Sequence, residues 1–144
     1  MKFQRMRDIR EDNDLTQLEV AKIMKVARST YKEWETGSNT IPLIKLNAFC
    51  EYFKVSLDYI TGLSNTKTYN TINKDINVQL VASRLRELGL KENLKQKDIF
   101  SFLNINSSTY SAYETGKVLI PTIFIYSIAK KYNYSIDWLL GKIK

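Results

Sequence analysis

Arg28-Ser29-Thr30-Tyr31-Lys32-Glu33-Trp34-Glu35-Thr36-Gly37, followed by Ile41-Pro42, decides the fold, because the chain writes it twice. Seventy-nine residues later stand Ser107-Ser108-Thr109-Tyr110-Ser111-Ala112-Tyr113-Glu114-Thr115-Gly116 and Ile120-Pro121. Shifting the sequence by 79 aligns 5–62 with 84–141 without a gap, and 16 of the 58 columns are identical. Columns that differ often keep their character, as in Val20/Ile99, Met24/Leu103, Val26/Ile105 and Trp34/Tyr113. The 144 residues therefore read as a tandem duplication of one small unit, each copy near the lower size limit for its own core.

Working outward from the repeated stretch, each copy reads as five short helices. In copy one, 28–36 is the third helix: Tyr31 and Trp34 point inward at i, i+3 spacing and leave Arg28, Ser29, Lys32 and Glu33 outside. Gly37 supplies the left-handed residue that ends it. Before it, Thr16-Gln17-Leu18-Glu19 is a capping box that opens the second helix, with Val20 and Met24 on its inner face. Phe3, Met6 and Ile9 form the apolar stripe of the first. After it, Pro42 starts a fourth helix with Leu46, Phe49, Cys50 and Phe53 as its buried face. Ser56 caps a fifth that stops at Gly62. The expected architecture is all-α: copy one at 1–63, a polar linker at 64–76, and copy two at 77–144. Asp75 or Asn77 caps the first helix of copy two.

Composition narrows the function. There is no histidine and one cysteine, Cys50, which reads as a buried small hydrophobe. Imidazole catalysis, Cys/His zinc sites and intrachain disulfides are excluded. Glu35, Glu114, Asp58 and Asp137 fall where caps and ion pairs are expected, and Tyr31 and Tyr110 read as core, so no enzyme, cofactor or metal is expected. Residues 1–14 are charged throughout, unlike a secretory leader. The most apolar stretch, 118–129, holds Pro121, Thr122 and Ser127 and is too short to cross a membrane. The expectation is a cytoplasmic protein. The net charge of +7 points to a polyanion or to a lysine-rich solvated surface. Residues 1–65 carry ten Lys/Arg against nine Asp/Glu, and residues 80–144 carry ten against five.

Two short helices joined by a tight turn, the second exposing polar residues, form a helix-turn-helix. The residues Leu15-Thr16-Gln17, Val20-Ala21, Met24 to Tyr31, Trp34 to Gly37 and Ile41-Pro42 resemble the Cro/repressor-type (lambda-repressor-like) family. Copy two repeats the pattern from Leu94-Lys95-Gln96 to Ile120-Pro121. The resemblance implies a five-helix fold, sequence-specific binding of double-stranded DNA and two-fold pairing of domains. It places Gln17 and Gln96 beside phosphates. It puts base-reading roles on Arg28, Ser29 and Glu33, with Lys32 beside them, and on Ser107, Ser108 and Ala112 in copy two. It also implies an ion pair between Arg10 and Glu35. The departures are local. Lys25 and Asn104 stand where the family usually has a turn glycine. Ala27 replaces the usual Ser or Thr cap, whereas Asn106 is a good cap. Ala21 becomes Phe100, Thr16 becomes Lys95, and the Arg10 column is Gly89, which leaves Glu114 without that partner.

The recognition helix enters a major groove by its N-terminus. The fork of Arg28 matches guanine O6 and N7, with a phosphate as its alternative target. Glu33 either accepts from cytosine N4 or holds Arg28 in place. Lys32 serves the DNA backbone, as does Lys117 in the loop of copy two, and Asn39 is a further DNA-binding candidate. Ser107, Ser108 and Ser111 are short and uncharged, and Ala112 suits a thymine methyl. Copy one is thus expected to supply sequence discrimination and copy two electrostatic affinity. The stretch 64–77 reaches about 46 Å when extended, against roughly 34 Å between successive grooves. The expected function is a transcriptional repressor working as an intramolecular pseudo-dimer. The alternative makes copy two a homodimerisation or protein-interaction module of antitoxin type, using an exposed apolar region at Tyr134, Trp138 and Ile143.

Overall fold

The computed structural model describes residues 1–67 and 70–144. Among them are ten α-helices and no strand. They are α1 Gln4–Asp12, α2 Gln17–Met24, α3 Arg28–Thr36, α4 Leu43–Phe53, α5 Leu57–Ile60, α6 Val78–Lys91, α7 Gln96–Leu103, α8 Ser107–Glu114, α9 Thr122–Tyr132 and α10 Ile136–Leu139. The chain divides into two compact units, Met1–Tyr69 and Asn70–Lys144, each with five helices in the same order.

In unit one the local signals act as read. Thr16 Oγ1 accepts from Glu19 N at 3.1 Å, and Glu19 Oε1 accepts from Thr16 N at 3.0 Å. That backbone bond holds the Glu19 carboxyl below its usual range. Lys25 ends α2 in the left-handed region at φ 59°, a conformation disfavoured for a side chain of that size. Lys45 Nζ, 2.8 Å from Met24 O, satisfies one of the orphan carbonyls there. Gly37 ends α3 at φ 83°, and a Cβ there would lie 2.8 Å from Lys2 Cβ. Pro42 sits one position earlier than expected, at the N-cap of α4. Phe49 and Cys50 are buried, whereas Phe53 is half-buried with its ring 4.6 Å from that of Phe49. The core gathers Met6, Val20, Tyr31, Leu46, Phe49 and Leu57 from all five helices.

Unit two repeats this plan with other residues. Asn77, and not Asp75, caps α6, accepting from Gln79 N and Leu80 N. Asp98 Oδ2 accepts from Lys95 N at 2.8 Å, but an ammonium cannot accept in return, so only half of the box of α2 survives. Asn104 ends α7 at φ 58°, and Asn106 Oδ1 accepts from Thr109 N at 2.8 Å. Phe100 is half-buried where Ala21 is fully buried, so the ring is kept partly out of the seam between α7 and α8.

One repeated device ties each first helix to the end of its unit. Arg5 Nη1 donates to Tyr59 O and Ser64 O, both at 2.6 Å, and its guanidinium stacks 4.2 Å over the Tyr59 ring. Arg84 Nη1 donates to Trp138 O and Ile143 O, and stacks 4.6 Å over Trp138. Trp138, Ile143 and Tyr134, whose ring lies 5.7 Å from that of Trp138, are half-buried, which corrects the expectation of an exposed apolar region there.

The segment 64–76 is bonded at both ends, and its positions 68 and 69 lie outside the described residues. Ser56 N donates to Lys67 O, and Ser56 Oγ to Thr66 O. On the other side, Ile72 N and Thr71 Oγ1 donate to Lys142 O, and Asn73 Nδ2 to Gly141 O. Lys142 is fully buried and donates from Nζ to Lys74 O at 3.0 Å.

Candidate nucleic-acid interface

The N-terminal face of α3 exposes Arg28, Ser29 and Lys32. They share one side because Tyr31, Trp34 and Glu35 are drawn into the core on the other. Glu33 is half-buried and accepts from Asn39 Nδ2 at 2.5 Å, while Asn39 N donates to Glu33 O at 3.3 Å. Of the two roles open to Glu33, contact with cytosine and a hold on Arg28, the second is not the arrangement in the structure, where Glu33 meets Asn39. Glu33 and Asn39 instead brace the loop after α3, and Arg28 projects without that tether.

Behind this face lies the Arg10–Glu35 pair. Arg10 Nε donates to Glu35 Oε2 at 2.6 Å, Nη2 to Oε1 at 3.1 Å, and Nη1 to Leu15 O at 2.9 Å. One guanidinium therefore joins α1, the α1–α2 loop and the C-terminal turn of α3. Gln17 is half-buried and turns inward, its Nε2 3.2 Å from Glu35 Oε1. Burial works against the Glu35 charge, but the hydrogen bonds and charge of Arg10 outweigh it and hold the carboxyl below its usual range. The Tyr31 hydroxyl is buried beside this carboxylate without closing a hydrogen bond of normal geometry, and burial pushes its pKa far up.

In α8, Ser107 and Ser108 are exposed, and Ser111 and Ala112 are half-buried. Ser108 Oγ donates to Asn106 Oδ1 at 2.9 Å, so part of its capacity is spent within the cap. Lys117 is exposed in the following loop. Gln96 Nε2 lies 3.3 Å from Glu114 Oε1, as Gln17 does to Glu35. Arg86 Nη1 donates to the backbone carbonyl of Glu114. Tyr110 repeats Tyr31: its hydroxyl is buried beside the Glu114 carboxylate without closing a hydrogen bond of normal geometry, and burial raises its pKa.

Sequence reasoning missed the Arg5 and Arg84 clamps and the pairing of Asn39 with Glu33. The first had a signal, since arginine is identical in that column of the repeat. The second had none, because the two residues are six apart across a loop whose path only the fold defines.

The helix-turn-helix family model matches residues 6–60 and again residues 84–139. The chain is 37% identical over 65 residues to the uncharacterized HTH-type transcriptional regulator YobD of Bacillus subtilis, covering 45% of this chain and 58% of that one. It is 27% identical over 84 residues to the antitoxin PezA of Streptococcus pneumoniae, covering 58% of this chain and 51% of that one. The chain thus spans a little over half the length of these curated relatives. No solved structure matches. Among the described residues, no helix is long and apolar enough to cross a membrane.

Proposed function

The chain belongs to the Cro/repressor-type helix-turn-helix family, twice over, and from that membership we infer that it is a sequence-specific regulator binding double-stranded DNA. The observation that carries this reading is the exposed polar N-terminal face of α3, repeated in α8, each backed by a buried tyrosine and glutamate. Arg28 reads guanine; Ser29 and Lys32 place the helix on the groove edge and phosphates. Unit two adds Ser107, Ser108 and Lys117 on a more basic body and contributes phosphate affinity more than discrimination. Gln17 and Gln96 brace the helices behind these faces and lie near the phosphate path. Two units in one chain act as a pseudo-dimer, because tethering raises the effective concentration of the second unit to about millimolar. Bound to two grooves, the protein represses by blocking access to its site.

Hydrogen bonds tie 64–67 to unit one and 71–74 to unit two. The reach counted from the sequence is available only if those bonds open. The experiment is fluorescence anisotropy of the full chain on labelled duplexes across a salt series. A log–log slope of several units with sequence-dependent affinity supports the reading; absence of binding at low ionic strength rejects it.

A second reading makes unit two a protein-interaction module. Its support is the uncharged face of α8, with Ser108 partly spent on its own cap, together with the partial likeness to an antitoxin. Loss of DNA affinity on mutating unit-one residues, with no change on mutating Lys117 and Ser107, favours this second reading.

A further inference from the structure

We propose that unit two carries a binding site for a guanidinium cation, in the cavity that Gly89 opens beside the buried Glu114 carboxylate. The inference is independent of the DNA-binding reading. It begins with the repeat: the column that holds Arg10 in unit one holds Gly89 in unit two, while every acceptor of Arg10 is kept. Glu35 becomes Glu114, 8% exposed, and Gln17 becomes Gln96, which again meets the carboxylate. Leu15 O, the third acceptor of the Arg10 guanidinium, becomes Leu94 O. Among the described residues Glu114 has no ion pair, whereas Glu35 has a bidentate one.

The space left by the missing side chain is open. A cavity of about 230 Å³ is lined by Gly89, Leu90, Leu94, Gln96, Ile99 and Glu114, with Arg86 at its wall. A cavity of about 150 Å³ is enough for benzene, so an alkylguanidinium fits. Gly89 is helical, and a Cβ there would meet only Leu94 O, at 3.7 Å, an ordinary contact. The backbone is therefore not built to exclude a side chain; the pocket is present because one is missing. Arg86 does not fill it: the space stays open with that side chain in place at its wall, its Nη1 donating to the backbone carbonyl of Glu114.

The chemistry selects the ligand class. A planar fork of N–H donors matches a carboxylate edge-on and reaches a nearby carbonyl with a third N–H. An ammonium of equal charge makes a point contact only. Leu90, Leu94 and Ile99 give the alkyl stem an apolar wall. The positive charge of Arg86 lowers the affinity for any cation, so recognition rests on the directional bonds to Glu114 and Leu94. The occupant is either a small alkylguanidine or an arginine side chain of another polypeptide. Either one rebuilds in unit two the tie between first helix, loop and α8 that Arg10 supplies in unit one.

The test is a titration of the full chain with ethylguanidinium, followed by amide NMR with hydrogen exchange. For so small a ligand a Kd of about millimolar is expected. Saturable shifts should map to residues around Gly89, Leu94 and Glu114 and leave Arg10 and Glu35 still. At ten times Kd, exchange from α8 should slow about tenfold. Gly89→Arg should abolish the shifts by placing the chain's own guanidinium in the cavity, and Glu114→Gln should abolish them without filling it. N-acetylarginine methylamide binding more tightly than ethylguanidinium assigns the site to an arginine side chain; the reverse order assigns it to a free alkylguanidine. Shifts that stay linear without saturation, persist unchanged in Glu114→Gln, or are matched by ethylammonium overturn the proposal.

Discussion

Unit one and unit two solve one packing problem with different residues, and each difference falls on the elements that hold the recognition helix. In unit one a buried guanidinium locks α1, the loop at Leu15 and the C-terminal turn of α3 together. In unit two the same carboxylate meets Gln96 and the Tyr110 hydroxyl but, among the described residues, no guanidinium, and a cavity stands where that group would be. The N-terminal end shows the opposite balance. Ala27 gives α3 no side-chain cap, whereas Asn106 caps α8. The tie at the C-terminal end is thus strong in unit one, and the cap at the N-terminal end is strong in unit two. On the exposed N-terminal face of the third helix, unit one carries an arginine and unit two carries serines. A duplicated domain can retain its fold through the buried columns while its exposed and bracing columns drift apart.

The largest effect that would break this comparison lies in the Arg10–Glu35 pair. Arg10→Ala leaves the buried Glu35 carboxylate without its ion-pair partner, Gln17 remaining, at a cost of about 3–5 kcal/mol to unit one. Hydrogen exchange resolved by residue should show the loss in α1–α5 and none in α6–α10. The pair also makes unit one acid-sensitive. Because the Glu35 carboxyl is depressed in the folded state, its stabilisation is complete above the unfolded value of about 4.3. It is lost as pH falls below that through the folded value. Protection factors in unit one, taken relative to the intrinsic exchange rate at each pH from 6 down to 3, should fall in the parent, with this component absent in Glu35→Gln.

Next in size, Arg28→Ala should remove about 1–3 kcal/mol of base discrimination at one position. Lys117→Ala should weaken all sequences alike and lower the salt slope by about 0.9. Competition binding against single-base variants separates the two outcomes. The smallest effect sharpens the contrast in caps: Asn106→Ala should cost about 1 kcal/mol, and Ala27→Asn should return a similar amount to unit one, both read from urea denaturation.

The repeat makes most of this legible in the sequence. The capping box at Thr16, the glycine after α3, the inward Tyr31 and Trp34, and the Arg10–Glu35 pair all stand where the sequence placed them. The cap, the glycine and the inward aromatics depend on neighbours within a turn or on a column shared by two copies, whereas the Arg10–Glu35 pair, 25 residues apart and missing its arginine in copy two, was legible only through the family resemblance. What escaped depends on long-range approach. Glu33 meets Asn39 because the loop folds back, and Trp138 is covered by Arg84 from 54 residues away. The polar stretch 64–76 has no apolar pattern, so its docking through backbone carbonyls such as Lys67 O and Lys142 O left no trace in side-chain type. Gly89 was legible as a missing arginine; that its place stays open as a cavity was not.

The central claim is that two groove-reading helices with unequal discrimination act from one chain. Selection of bound sequences from a random duplex pool tests it most directly. The account predicts two dissimilar half-sites about one helical turn apart, the sharper one containing a guanine whose preference vanishes in Arg28→Ala. Enrichment of a perfect palindrome, an unchanged motif in Arg28→Ala, or no enrichment at all would contradict it.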